Sequence, residues 1–221
     1  MSKEYLTYLA RTSVYYVGKI LTSNLTELTE FTCKICKRNL EYTKGELVAK
    51  VVFNQNYDYI ISSYKYYGVI RKLILDFKFE DKRYLYKFLS SKLIILLKKY
   101  LENNNIDCIV YVPISIKRYY ERGYNQSYIL AQEISNKINV PLLKYGLIKI
   151  KNNKRQSELA HKERFNNIQN VYKANKLYDF CNKTILLVDD IYTTGNTVNE
   201  CSRILKEKGA NKVIVATVAI A

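Results

Sequence analysis

A strand, a polar loop and a helix follow one another in residues 184–209, and this stretch constrains the fold more than any other. Four apolar residues, 185–188, lead directly into two adjacent carboxylates, Asp189 and Asp190. Beyond a loop rich in hydroxyl groups, apolar residues recur with the period of an α-helix as far as Gly209, a residue type that often ends helices. Open α/β sheets bind their ligands in such loops, at the carboxyl ends of strands. The stretch therefore predicts a ligand-binding strand–loop–helix unit.

The loop has the chemistry of a phosphate site. A helix start offers free N–H groups and a favourable dipole to an anion, glycine allows close approach, and threonine hydroxyls add donors. Because carboxylates repel a phosphate, the two acids suit the hydroxyls of a sugar or a divalent cation. An ordinary turn with solvated acids is the alternative. The loop consists of Thr193, Thr194, Gly195, Asn196 and Thr197.

The segment VDDIYTTGNT resembles the phosphoribosyl pyrophosphate (PRPP) motif of type I phosphoribosyltransferases. In that motif, apolar residues precede two acids, and Thr-Gly and a further hydroxyl residue follow. The resemblance implies that Asp189 and Asp190 bind the 2′- and 3′-hydroxyls of ribose and are the candidate catalytic residues. It also implies that residues 193–197 hold the 5′-phosphate and that magnesium accompanies PRPP.

Two further polar segments are candidates for the same site. The first follows a predicted strand at 108–112 and contains Lys117 and Arg118, whose charges suit a pyrophosphate. The second contains Lys154, Arg155 and Gln156, candidates for a flexible loop that orders over a reactive ligand and excludes water. A solvated basic loop is the alternative for the first segment.

Helical and strand patterns alternate along most of the chain. The sequence predicts helices near 68–80, 85–100, 124–138 and 196–208, and strands near 108–112, 147–150, 184–188 and 213–219. This alternation indicates an α/β fold, a parallel sheet flanked by helices, which we assign to one domain over 57–221. Residues 1–60 show no clear periodicity, so 1–56 are interpreted as a small N-terminal segment.

Cys33 and Cys36 form the only closely spaced cysteine pair. One such pair is half of a structural zinc site, which needs four ligands, and the only histidine is His161. We therefore predict a degenerate, zinc-ribbon-like remnant and no bound metal. A site shared between two subunits is the alternative.

Three blocks together resemble the ComF (competence) family: VPISIKRYYERGYNQSYILAQEIS, RQSELAHKERFNNIQNVYKA and ILLVDDIYTTGNTVNECSRILKEKGA. Members of that family join a type I phosphoribosyltransferase domain to a zinc-ribbon-like segment. The resemblance covers residues 57–221 and implies phosphoribosyl transfer, a glycosyltransferase reaction, together with a role in DNA uptake during natural transformation. It departs at the N-terminus, where the family often has two or more cysteine pairs. The acceptor and the oligomeric state are not indicated.

The formal net charge is +16, and most of the excess falls in residues 61–165, among many tyrosines. This pattern fits a polyanion such as PRPP, and equally single-stranded DNA, although solvated lysines are the alternative. A non-catalytic module that binds single-stranded DNA or a DNA-uptake helicase is therefore a second hypothesis, and a PRPP sensor is a third. Without a signal-peptide pattern or a membrane-length apolar run, we expect a cytoplasmic protein without a membrane partner.

Overall fold

The computed structural model describes residues 48–50, 55–151 and 171–221. Cys33 and Cys36 lie outside the described residues, as do the flexible-loop candidates Lys154, Arg155 and Gln156. The interpretations of these residues therefore stay predictions. No helix in the described part of the chain is long and apolar enough to cross a membrane.

The core of the fold is a five-stranded sheet. Its strands are β1 (Val48–Lys50), β2 (Tyr59–Lys65), β3 (Cys108–Tyr111), β6 (Thr184–Tyr192) and β7 (Lys212–Ile220). They lie in the order β1-β2-β7-β6-β3. All neighbours are parallel except the edge strand β1, which is antiparallel to β2. A separate antiparallel pair consists of β4 (Leu147–Lys149) and β5 (Tyr172–Ala174). The predicted parallel sheet is confirmed, with one antiparallel edge.

Helices cover both faces of this sheet. They are α1 (Gly68–Phe79), α2 (Tyr86–Leu101), α3 (Ile116–Arg122), α4 (Gln126–Ile138) and α5 (Asn196–Glu207), with a short 3₁₀ helix at Arg83–Leu85. Apolar residues of α1, α2 and α4 pack on one face of the sheet, and those of α5 and β5 pack on the other. A strand covered on both faces needs an unbroken apolar run, which explains residues 185–188.

The helix after the acid pair has the predicted form. Val198, Cys201, Ile204 and Leu205 are buried, as their helical spacing indicated. Gly209 has a φ of +87°, the left-handed conformation that commonly follows a helix end and that glycine adopts without steric cost. The helix α5, which connects β6 to β7, therefore has nearly the length that the sequence predicted.

Of the elements that were not predicted, β2 and α3 were missed for opposite reasons. β2 contains Ser62 and Ser63, which are 2% and 0% exposed, so its apolar run is interrupted although the strand is buried. α3 has no buried residue and hence no apolar stripe for periodicity to reveal. It is held at its ends instead, by the Ser115 side chain, which accepts from the Arg118 N–H, and by Gly123 at a φ of +73°.

Candidate functional site

A cleft of about 200 Å³ lies at the carboxyl ends of β3 and β6. It brings together most of the predicted site residues, which come from distant parts of the sequence. Lys117 is exposed and is not part of this lining, so its predicted contact with pyrophosphate stays a prediction. The predicted residues that line the cleft are Arg118, Asp189, Asp190, Thr193, Thr194, Gly195, Asn196 and Thr197.

Each carboxylate of the acid pair is oriented by a different neighbour. Successive strand residues point to opposite faces of a sheet, so Asp189 and Asp190 diverge at the end of β6. The Ser127 hydroxyl donates to Asp189 Oδ1 over 2.8 Å, and the Asp190 N–H donates to the same oxygen over 2.9 Å. Lys78 Nζ lies 2.9 Å from Asp190 Oδ2. The sequence did not reveal Ser127 or Lys78 as site residues. Both lie in helices, α4 and α1, whose apolar pattern reflects packing against the sheet and not the site.

The electrostatics of the acid pair favour ligand groups that donate hydrogen bonds. Burial raises the pKa of Asp189, and the adjacent charge of Asp190 raises it further, against the opposing effects of Lys78 and Ser127. A charged Asp189 is therefore costly even with the hydrogen bonds that Ser127 and the Asp190 N–H donate to it. Sugar hydroxyls or a cation at this position would relieve that cost.

The start of α4 is fixed to the end of β3 by Asn125, the residue that caps this helix. Its side-chain oxygen accepts from the N–H groups of Ser127 and Tyr128, at 2.9 and 3.3 Å. Its side-chain amide donates to the carbonyl of Val112 over 3.1 Å. This cap places Ser127 beside Asp189, so the loop after β3 and the loop after β6 share one site.

The loop after the acid pair is built closely against a tyrosine. Gly195 precedes α5 with a φ of +74°, and a Cβ at this position would lie 2.5 Å from Tyr192 Oη. Tyr192 Oη is in turn 2.8 Å from Tyr57 Oη, so the ring is held in place. The Thr194 hydroxyl is buried and has no hydrogen-bond partner among the described residues, which makes it available to an anion.

We expect Gly195→Ala to destabilise the protein through two separable effects. Left-handed backbone alone costs alanine about 1–2 kcal/mol, and the clash with Tyr192 adds to that cost. Chemical denaturation of four proteins measures both: the parent, Gly195→Ala, Tyr192→Ala and the double variant. In the Tyr192→Ala background the same glycine substitution should cost only the backbone part. Equal costs in the two backgrounds would contradict the close packing of Tyr192.

Lys149 is a further cation of the cleft that sequence reasoning missed. It lies in β4, and its Nζ is 5.4 Å from the centre of the Tyr172 ring. Burial, and then the like charge of Arg118, lower the pKa of Lys149 to about 8. Two cations that repel each other at one end of the cleft favour an anionic ligand there. Side chains two residues apart in a strand lie on the same face, so the apolar Leu147 could have indicated that Lys149 faces inward. A strand of only three residues, however, gives a weak pattern.

The comparisons with known proteins point to one family. The family model for the phosphoribosyl transferase domain matches residues 124–220. Competence protein F of Haemophilus influenzae is 27% identical over 187 residues, which cover 83% of this chain and 82% of that protein. Competence protein ComFC of Bacillus subtilis is 28% identical over 202 residues, which cover 85% of this chain and 76% of that protein.

The chain belongs to the ComF family of phosphoribosyltransferase-like proteins. Its fold is the type I phosphoribosyltransferase fold, a parallel sheet flanked by helices. A further relative of this ComF-family chain is the DNA utilization protein YhgH of Escherichia coli, with 30% identity over 109 residues, 49% of this chain and 47% of that protein. The matched domain model includes Ser127 and the acid pair, whereas Lys78 and Arg118 precede it.

Proposed function

We propose that this ComF-family protein binds PRPP in the cleft and transfers its phosphoribosyl group to an acceptor with an N–H or O–H nucleophile. One observation supports the proposal above all. The acid pair, the glycine and threonine loop, and the cations Arg118 and Lys149 line the same cleft. These three groups suit the hydroxyls, the 5′-phosphate and the pyrophosphate of PRPP respectively.

The proposed roles follow from the contacts of each group. Asp189 and Asp190 accept hydrogen bonds from the ribose hydroxyls, and Ser127 and Lys78 hold the carboxylates in place. The N–H groups at the start of α5 and the Thr194 hydroxyl bind the 5′-phosphate. Arg118 and Lys149 attract the pyrophosphate, and the lowered pKa of Lys149 reflects a charge that an anion would stabilise.

Magnesium fits the donor set of the cleft only together with PRPP. The described residues contain no group of three or more histidine, cysteine or acidic side chains arranged to hold a metal. Magnesium commonly binds through one or two carboxylates and substrate phosphates while it keeps several waters. Asp189 and Asp190 could supply that share. When bound, magnesium would offset part of the negative charge of the pyrophosphate and improve it as a leaving group.

The proposed reaction is a displacement at the anomeric carbon of ribose. The acceptor nucleophile forms a bond to C1, the bond from C1 to the pyrophosphate oxygen breaks, and its electron pair leaves with pyrophosphate. The proton of the acceptor passes to the departing pyrophosphate or to water. Positive charge develops on the ribose ring in the transition state, so the chain assists by positioning and by the negative charge of the acid pair.

We further propose that the protein acts in the cytoplasm on incoming DNA. The names of its relatives, which refer to competence and to DNA utilization, support this role. The net charge of +16 is suited to single-stranded DNA, and a DNA-uptake helicase is the further partner of this proposal. A module that keeps the fold and binds DNA without catalysis is the alternative.

Calorimetric titration with PRPP and magnesium tests the proposal, with ribose 5-phosphate as the comparison. We expect saturable PRPP binding and at least a tenfold weaker affinity for ribose 5-phosphate, because Arg118 and Lys149 contact only the pyrophosphate. One charge-assisted hydrogen bond contributes about 1.5–3 kcal/mol, which corresponds to this difference. Absence of binding at millimolar PRPP would reject the transferase and leave the DNA-binding module.

A further inference from the structure

A second cavity, of about 560 Å³, lies beside the cleft. It is bounded by α3, the start of α4 and β4, and it shares Pro113, Ile114 and Lys149 with the lining of the cleft. Its volume falls within the range of about 300–1,000 Å³ typical of sites for small molecules. The proposed transferase function gives it no role.

The wall of this cavity is largely aromatic. Tyr111 and Tyr128 form its inner part, with ring centres 5.2 Å apart and ring planes at 63°. Tyr119 and Tyr145 also line it but are 51% and 67% exposed. Together with the buried Tyr124, five tyrosines line one cavity. Exposed aromatic faces beside a cavity are suited to stacking against a planar ligand.

The backbone of Tyr145 is strained. Its φ is +58°, a left-handed conformation that is uncommon and sterically unfavourable for a bulky residue. The Tyr145 N–H donates to Tyr111 Oη over 3.2 Å, which connects the backbone of the outer tyrosine to the ring of an inner one. The chain therefore maintains a strained backbone where an exposed aromatic ring borders the cavity.

The charges around the cavity have one sign. Arg83, Lys144 and Lys149 line it, and none of the described lining residues is Asp or Glu. Arg83 lies over the Tyr124 ring at 4.6 Å, and Lys144 Nζ is 5.7 Å from the centre of the Tyr128 ring. Asp81 pairs with Arg83 but is not part of the lining. The cavity thus combines aromatic faces with cations.

We propose that this cavity binds one nucleotide, with its base against the tyrosines and its phosphate near Lys144 and Arg83. A purely apolar ligand would leave Arg83 and Lys144 without a role, and an inorganic anion would leave the five aromatic rings without one. A base joined to a phosphate uses both features. The nucleotide is either free or one unit of a single strand, since the recognition chemistry is the same. The site does not depend on the proposed transferase function.

Deoxyadenosine 3′-monophosphate is a selective probe for this cavity. It lacks the 5′-phosphate that suits the loop after β6 and the 2′-hydroxyl that suits the acid pair, so it is a poor ligand for the cleft. Titration of the full chain by calorimetry should show binding that is much tighter than that of deoxyadenosine or of inorganic phosphate. Comparable affinities for the nucleotide and for inorganic phosphate would overturn the role of the aromatic wall.

The tyrosines of α3 supply a matched pair of variants. Tyr119 lines the cavity, whereas its neighbour Tyr120 is 82% exposed and is not part of the lining. Stacking of a base contributes about 1–3 kcal/mol, so Tyr119→Ala should weaken nucleotide binding by roughly 5- to 150-fold. Tyr120→Ala should leave it unchanged. Lys144→Ala should also weaken binding, with Lys137→Ala, at an exposed lysine of α4, as its control.

Two further measurements are needed. The first distinguishes a DNA strand from a free nucleotide as the ligand, and the second distinguishes this cavity from the PRPP cleft. If the source is a strand, a ten-residue deoxyadenosine oligonucleotide binds more tightly than the mononucleotide, and Tyr119→Ala weakens both. If the source is a free nucleotide, the oligonucleotide gains nothing over the mononucleotide. PRPP titration of Tyr119→Ala should match the parent chain, so failure of either site is recognised independently. Nucleotide binding that is absent, or that withstands both Tyr119→Ala and Lys144→Ala, would overturn the proposal.

Discussion

Replacing both carboxylates of the acid pair, by Asp189→Asn with Asp190→Asn, is expected to abolish measurable PRPP binding in a protein that stays folded. Each carboxylate accepts a charge-assisted hydrogen bond from a ribose hydroxyl in our proposal, and such bonds contribute about 1.5–3 kcal/mol each. Losing two corresponds to at least a 100-fold weaker affinity. Calorimetric titration with PRPP and magnesium measures the loss, with Glu102→Gln, at an exposed acid directly after α2, as control.

The substitution Asp189→Asn should stabilise the folded protein although it weakens PRPP binding. Because burial and the charge of Asp190 raise the pKa of Asp189, the folded protein holds that proton more tightly than the unfolded chain. The free energy of unfolding then falls as the pH rises above the ordinary range of an aspartate. Asp189→Asn removes this penalty while its side-chain oxygen can still accept from Ser127.

The single variant Asp189→Asn should therefore unfold at a higher temperature than the parent at neutral pH. The difference should shrink as the pH falls below about 4, because the parent carboxyl then becomes protonated in the unfolded state as well as in the folded one. Thermal unfolding followed by circular dichroism at several pH values measures this trend. A variant that is less stable at neutral pH would indicate that Asp189 has a structural role rather than the proposed binding role.

The parts of the site that lie next to each other in sequence were predictable. The apolar run of β6, the acids and the loop before α5 form one continuous pattern, and each follows from local rules of strand, helix and phosphate chemistry. The same holds for Asn125, whose capping role depends only on its place before a helix. The fold class followed from the alternation of such local units.

The parts that arise from packing between distant segments were not predictable. Lys78 lies at the end of α1 and meets Asp190 only because α1 packs across the sheet. Tyr192 follows the acids in sequence, but its contact with Gly195 depends on the Tyr57 hydroxyl from a segment over a hundred residues away. Lys149 and the tyrosine cavity depend on where the β4–β5 pair lies beside the main sheet, which no periodicity encodes.

Replacing Lys149 by methionine is expected to weaken PRPP binding and to stabilise the protein. The long apolar side chain of methionine fills similar space, so the main change is the loss of the ammonium group. Without it, the affinity for PRPP should fall by about 10- to 100-fold, because a charged contact with the pyrophosphate is lost. The affinity for ribose 5-phosphate should be unchanged, since that ligand has no pyrophosphate. Lys98→Met, at an exposed lysine of α2, is the control.

The gain in stability should depend on pH in a defined way. Since the pKa of Lys149 is lowered to about 8 in the folded protein, its charged form is disfavoured there relative to the unfolded chain. Below pH 8 the ammonium is charged in both states, and its burial costs about 1–3 kcal/mol. As the pH rises from about 8 toward 10, the folded protein releases this proton first and most of the cost is lost. Urea unfolding at pH 7 and pH 10 should therefore show a larger gain for Lys149→Met at pH 7 than at pH 10.

Arginine at the same position separates charge from shape. PRPP affinity of the parent chain should fall as the pH rises above about 8, where Lys149 loses its proton. Lys149→Arg keeps its charge throughout this range, because the pKa of arginine lies above 12, and should not show that fall. Titration of both proteins with PRPP between pH 7 and pH 9.5 measures the difference. An equal fall in the two proteins would mean that another group controls the pH dependence and that Lys149 does not bind the pyrophosphate.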